Sequence, residues 1–234
     1  MTRAAEPLVV VGAGGFGRET VEVVRAANVA HEDRHGQPRW DLLGILDDDP
    51  GRWGTTVVGA RVLGPSSTVG DRPSARVVVC AGSPVNRTSK LDIVRRLALD
   101  PERYATLIHP AAAIATSCTI GAGTVALAGV VATVEVSVGA HVGLMPQVVL
   151  THDDVLADFV TIGSGARLAG SVSVGTGAYL GAGCLVREGQ VIGDWALLGM
   201  GAVVVDDVPA GEVWAGVPAR YLRPVDLPPE VRSA

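Results

Sequence analysis

From Ile114 to Pro209 the hydrophobic pattern repeats every six residues. Every sixth residue from 114 gives sixteen positions, and fourteen hold Ile, Leu or Val, with Ala126 and Ala132 the exceptions. The window contains 32 such residues in 96, so a random phase would fill about five of the sixteen. Four residues after each member runs a second series of small or slim residues, Cys118, Val148, Ala178 and Ala202 among them, broken by Asp154 and Gln190. Glycine often follows the first series directly, as at Gly121, Gly163 and Gly193. Three such strand-and-turn units make one triangular coil of 18 residues, so the pattern predicts a prism of parallel sheets, a little over five coils tall, around aliphatic interior stacks.

The amino-terminal third reads differently. Leu8 to Val11 is a short apolar strand, followed by Gly12-Ala-Gly14-Gly15-Phe16-Gly17 and a helical pattern to about Asn28. Strand, glycine turn and helix start together let backbone approach a ligand, and the free amides of the helix start attract phosphate. A dinucleotide site also wants an acid about 20 residues on. Here a polar loop, His31 to Arg39, intervenes, and the acids Asp47, Asp48 and Asp49 close the next strand, Leu42 to Leu46, about 30 residues beyond Gly17. A third strand, Arg76 to Cys80, ends in Ala81, Gly82 and Ser83, and a helical segment runs from Asn86 and Arg87 to about Leu99. Ligands of open parallel sheets bind at such strand ends. The expected organisation is a reduced Rossmann-like α/β domain over 1–105 and an all-β parallel β-helix over 106–234 with a carboxyl-terminal tail.

Composition fits stacked aliphatic rungs: 48% of residues are hydrophobic and only 4% aromatic. A net charge of -5 argues against a nucleic-acid-binding surface. No apolar run could span a bilayer and the first residues lack signal-peptide order, so the expectation is a cytoplasmic protein without membrane contact. Cys80, Cys118 and Cys184 are widely spaced and read as buried small hydrophobes rather than disulfide or metal ligands.

GAGGFGRE after the first strand, LDDD after the second, CAGS after the third, LIHPAA at the domain junction, VVLTHDDVLADF and VPAGEVWAGVPAR cover nearly the whole chain. With these motifs the sequence resembles the NeuD- and PglD-type sugar acyltransferases of the left-handed β-helix, hexapeptide-repeat superfamily. The period alone leaves the hand of the prism open; the resemblance implies the left hand. It also implies a homotrimer with active sites between subunits, transferring acetyl from acetyl-CoA to a nucleotide-linked amino sugar.

Carried over by resemblance, His152 is the general base and Asp153 the adjacent acid that orients it. Thr161, Gly170, Ala182 and Met200 line the acetyl-CoA path; Arg220 and Arg223 read either as partners for CoA phosphates or as a solvated carboxyl-terminal face. Gly14, Gly15 and Phe16 contact phosphate, Asp47 and Asp48 the nucleoside, and Gly82 the substrate at the third strand end. The sequence departs from the family at Phe16 and Thr161, where histidine is usual, and at Met145 and Pro146, where Asn and Thr are usual. The chemistry agrees independently: an amine attacking a thioester must lose a proton, and imidazole suits that task near neutral pH. Alternatives are a sialic-acid-like sugar O-acetyltransferase, a non-catalytic sugar-nucleotide-binding protein, and a metal-dependent hydratase of the γ-carbonic-anhydrase type. The last needs three histidines, and the repeat holds only His141 and His152, so no metal is expected. Asp154, at an inward position, should be costly unless hydrogen-bonded.

Overall fold

A computed structural model describes residues 4–82 and 86–227. Ser83, read above as part of the third strand end, lies outside them. β1 (Glu6–Val11) leads through the glycine turn into α1 (Gly15–His35), then come β2 (Trp40–Leu46), β3 (Thr56–Val57), β4 (Ala60–Gly64), β5 (Arg76–Val79) and α2 (Ser89–Leu97). The sheet order is β3-β4-β2-β1-β5, parallel except for the β3–β4 hairpin. β1, buried on both faces, lies between β2 and β5, as its continuous apolar run requires. The carboxyl ends of β1, β2 and β5 therefore share one edge.

Two local expectations are corrected here. The helix after the glycine turn continues seven residues past Asn28, so His31 and His35 stand on α1, with ring centroids 4.4 Å apart, rather than in a loop. Its last turns, 29–35, bury no side chain fully and show no apolar period, yet the helix closes properly: Gly36 adopts φ 73° and gives its N–H to the Glu32 carbonyl at 2.7 Å. The second helix starts at Ser89 and stops at Leu97, where Ala98 turns left-handed (φ 46°).

The prism begins at β6 (Leu107–Ile108) and continues in sixteen two-residue strands, from β7 (Ala113–Ile114) to β22 (Val203–Val204). Each pairs in parallel with the strands 18 residues away, as Val131 does with Ala113 and Val149, so three units make one turn of the coil. One face carries Gly143, Thr161 and Tyr179, the second Val131, Val149 and Arg167, the third Ser137, Val155 and Ser173. β23 (Glu212–Ala215) extends the first face in parallel, and β24 (Arg220–Pro224) closes it antiparallel.

Both interior series are where the period puts them. Leu144, Leu150, Ile162, Leu180 and Leu198 are fully buried, and each contributes about 1.5–3 kcal/mol relative to exposure. Ile114 and Ile120, at the open end, are only partly covered, and Cys118 beside them is half-buried rather than buried as expected. The glycines after the first series are there for space: a Cβ at Gly121, Gly163 or Gly193 would come within 2.5, 2.5 and 2.3 Å of backbone in the next coil. The left-handed backbone falls two residues later. Each sixth residue from Gly123 to Gly201 has positive φ, whether it is glycine or, as at His141, Asp153 and Phe159, a residue with a side chain.

The two parts share a core. Leu8, Val10 and Val21 cluster with Leu107, Val125 and Leu127, and Phe16 and Met145 pack against that cluster. Among the described residues no helix is long and apolar enough to cross a membrane.

Candidate active site

The turn Thr151 to Asp154 joins the second face, at Val149–Leu150, to the third, at Val155–Leu156. Its two central residues are exposed, the His152 side chain at 60% and that of Asp153 at 58%. Asp153 occupies the left-handed position (φ 62°) and its Oδ2 lies 2.9 Å from His152 Nδ1. An acceptor there favours the tautomer with the proton on Nδ1 and leaves Nε2 as the basic nitrogen. The ring rests on Gly170, in the next coil: a Cβ on that residue would fall 2.1–2.7 Å from three imidazole atoms. Gly170, expected on the cofactor path, is thus also the platform of the imidazole.

Asp154 points inward and is fully buried, and its carboxylate is satisfied: Oδ2 accepts from Thr151 N–H at 2.8 Å and Oδ1 from Val172 N–H at 2.9 Å. Burial pushes its pKa up to about 6, against the two amide bonds and His152 and with help from Asp153.

The other expected cofactor residues are not on this corner. Ala182 and Met200 sit one above the other on the turns from first to second face, tied by the Gly201 N–H to Ala182 carbonyl bond at 2.9 Å, and Met200 is exposed. Thr161 lies on the first face. It shares a narrow cleft with Gly82, Arg87, Lys90 and Tyr179, so the structure brings together two residues that sequence reasoning assigned to different ligands. Arg220 and Arg223 are on β24 and exposed; Arg220 lies 3.6 Å from Asp206.

In the glycine turn each glycine has its own reason. A Cβ on Gly12 would come within 2.7 Å of the Cys80 carbonyl, and one on Gly17 within 1.8 Å of the Gly12 carbonyl, so these two permit close packing. Gly14 and Gly15 have nothing within 4 Å of that position and border open space at the amino end of α1, whose first amides lack intrahelical partners. Phe16 joins them by its backbone only. Its ring lies against Gly143 and Met145 of the prism, with the Lys90 ammonium 5.5 Å from its centroid.

Asp47 and Asp48, the two acids expected at the substrate, are engaged within the chain. Asp47 Oδ2 accepts from Ala13 N–H at 2.6 Å and Oδ1 from Asp49 N–H at 2.9 Å, bracing the glycine turn. Asp48 accepts from Ser66 N–H and Oγ at 2.8 and 2.7 Å and pairs with Arg96. Burial raises the Asp48 pKa, but Ser66 and Arg96 outweigh it and hold the carboxyl below its usual value.

Residues that sequence reasoning missed are Lys90, Arg52 and Arg96. Lys90 is buried, donates to the His141 carbonyl at 2.9 Å, and is pushed by burial down to about 8. Arg52 donates to the Ala13 carbonyl at 2.8 Å. Nothing in their spacing marks them; they matter only through elements distant in sequence. His141 is buried between Tyr104 and Phe159, and among the described residues no group of three or more His, Cys, Asp or Glu is placed to hold a metal ion.

The glycine-turn α/β unit packed on a hexapeptide prism has the architecture of the left-handed β-helix acyltransferases, and the chain is an acyltransferase. No protein-family model matches it and no curated protein matches its sequence. Solved structures do. The acetyltransferase domain of PglB from Neisseria gonorrhoeae, in complex with acetyl coenzyme A, is 28% identical over 94% of this chain and 100% of that one, with a TM-score of 0.76. PerB from Caulobacter crescentus, in complex with CoA and GDP-perosamine, is 28% identical over 94% and 99%, with a TM-score of 0.78. WeeI from Acinetobacter baumannii is 26% identical over 92% and 100%, with a TM-score of 0.75.

Proposed function

We infer that the protein transfers an acetyl group from acetyl-CoA to the amino group of a nucleotide-linked amino sugar. The observation that carries this reading is the exposed His152–Asp153 pair over Gly170, in a fold shared end to end with proteins solved with acetyl-CoA or with CoA and GDP-perosamine. His152 Nε2 accepts the proton of the attacking amine as the C–N bond forms; the C–S bond then breaks and the proton passes to the departing thiolate. A positioned base contributes about 10²- to 10⁴-fold. Holding amine and thioester together supplies much of the remainder.

The nucleotide's phosphates would meet the open amides at Gly14, Gly15 and Phe16, with the base and ribose beside the strand ends carrying Asp47, Asp48 and Gly82. Acetyl-CoA would run past Gly170, Ala182 and Met200, with Thr161 reaching it from the first face. Gly170 and the Ala182–Met200 pair occupy different corners of one prism, which is the arrangement expected if a homotrimer forms each site from two subunits and covers the exposed His152. The division at about residue 105 separates the substrate-binding part from the transferase part.

The test is a panel of UDP-, GDP- and dTDP-linked amino sugars with acetyl-CoA, followed by thiol release. One nucleotide class should be acetylated, and His152→Ala should lower turnover at least 100-fold while acetyl-CoA binding persists. Acetylation of free sugars alone would defeat the nucleotide assignment, and full turnover in the variant would defeat the base.

A further inference from the structure

One series of the prism's backbone ladder, from His109 to Arg187, has a single irregularity, and it falls at Thr151, next to His152. Every sixth residue from His109 to Arg187 gives its N–H to the carbonyl seventeen residues on, in the next coil: His109 to Ala126, Gly121 to Val138, Met145 to Ile162, Ala169 to Val186. Thr151 is the exception. Its N–H turns back to Asp154 Oδ2, and the Leu168 carbonyl left without that amide takes the Thr151 hydroxyl instead, at 3.1 Å.

The second oxygen of Asp154 makes a parallel exchange one coil on. At eight other turns, from Cys118 to Ala202, the amide of the second interior series folds back to the carbonyl three residues before it. Val172 N–H goes to Asp154 Oδ1. The one comparable case is Val142 N–H on Thr124 Oγ1, where a neutral hydroxyl serves a single amide and donates to the Gly139 carbonyl. Meeting two amides at once needs two acceptor oxygens and no donor, which an ionised carboxylate has and a hydroxyl or amide has not.

The two amides flank functional backbone. Thr151 precedes His152, and Val172 closes the turn that contains Gly170, on which the imidazole rests. Asp154 therefore ties the turn that carries the ring to the turn that supports it. We propose that Asp154 is a positioning residue for the reaction, a buried clamp that with Thr151 re-routes the ladder so that His152 is held over the Gly170 backbone. The proposal rests on the reading of His152 as the base. It also accounts for an acid at a position where the repeat elsewhere prefers Val or Ala: regular packing is given up at the one turn where geometry decides the chemistry.

Asp154→Val and Asp154→Asn test it. Valine restores the interior pattern and frees Thr151 N–H to return to the Leu168 carbonyl, so the variant should keep its circular dichroism, its assembly and its melting temperature. Its kcat should nonetheless fall about 10- to 100-fold, with KM for acetyl-CoA within about twofold of wild type. Asparagine keeps the volume but sets an NH₂ against one of the two amides, and should lower kcat at least as far. Imidazole ¹⁵N shifts, assigned by the signal lost in His152→Ala, supply a readout without substrate: a single Nδ1–H tautomer in the wild type, a mixture in both variants. Unchanged kcat, an unchanged tautomer, or a loss of activity that only follows loss of fold would overturn the clamp. Undiminished turnover in His152→Ala would instead remove the base itself, and the ¹⁵N signature would still decide whether Asp154 sets that ring.

Discussion

At the glycine turn after β1 the backbone is open and the acidic side chains are engaged; at the His152 turn the backbone is engaged and the side chains are open. Gly14 and Gly15 border free space, whereas Asp47 and Asp48 hold Ala13, Ser66 and Arg96. In the prism, Thr151, Asp153 and Ser171 have their amides bonded within the turn or to a neighbouring coil, and what faces outward is an imidazole with its carboxylate. The first arrangement suits a ligand recognised by shape and phosphate charge, and tolerates changes of side chain. The second suits a reaction whose outcome depends on where one nitrogen sits.

The largest effect after loss of the His152 side chain itself should come from the platform. In Gly170→Ala the new methyl would overlap the imidazole and must displace it, since the Gly170 backbone is held by the Gly189 N–H to Gly170 carbonyl bond at 3.0 Å. We expect kcat to drop about 10²-fold, with the prism's melting temperature nearly unchanged. A crystal structure with the ring in its original place, or wild-type kcat, would contradict the packing.

A smaller and differently shaped effect should follow at the glycine turn. Gly14 has negative φ (-72°) and free space, so Gly14→Ala should fold normally and raise KM for the nucleotide sugar several-fold at constant kcat. Gly17→Ala collides with the Gly12 carbonyl and should cost about 1–3 kcal/mol of stability. If Gly14→Ala leaves KM alone, the open amides do not bind the substrate and the comparison between the two turns loses its functional meaning.

How much of this could be read from the sequence depends on how far apart the interacting residues are. The interior stacks were legible because a period of six is repeated sixteen times and burial leaves little choice of residue. The left-handed corners were not, because half are occupied by residues such as His141, Asp153 and Trp195. The end of α1 was missed because its last turns bury nothing, and the β3–β4 hairpin because its strands are two and five residues long. That His152 and Asp153 share one turn was legible through the unbroken repeat, as was the oddness of Asp154. Its two amide partners were not, since Val172 lies a full coil away, and the same distance hid Arg96 on Asp48 and Lys90 under the His141 carbonyl.

The smallest effect concerns two buried groups whose protons move in opposite senses. Asp154 is raised from 3.8 to about 6, chiefly by burial, so the folded state holds its proton to higher pH than the unfolded chain does. Its contribution to stability therefore falls as pH rises from about 4 to about 6. His141 is lowered from 6.5 to about 4, by burial first and then by the Lys90 cation, with Asp158 acting against both. Its neutral folded form makes stability rise with pH over nearly the same window. Each effect is on the order of 2–3 kcal/mol, and in the wild type they largely cancel. Taken as differences from wild type in urea midpoints between pH 4 and 6.5, Asp154→Val should become relatively more stable with increasing pH, and His141→Phe relatively less stable. Parallel profiles for wild type and Asp154→Val would mean that the carboxyl beneath the His152 turn keeps its ordinary affinity for protons, and that the clamp is charged throughout.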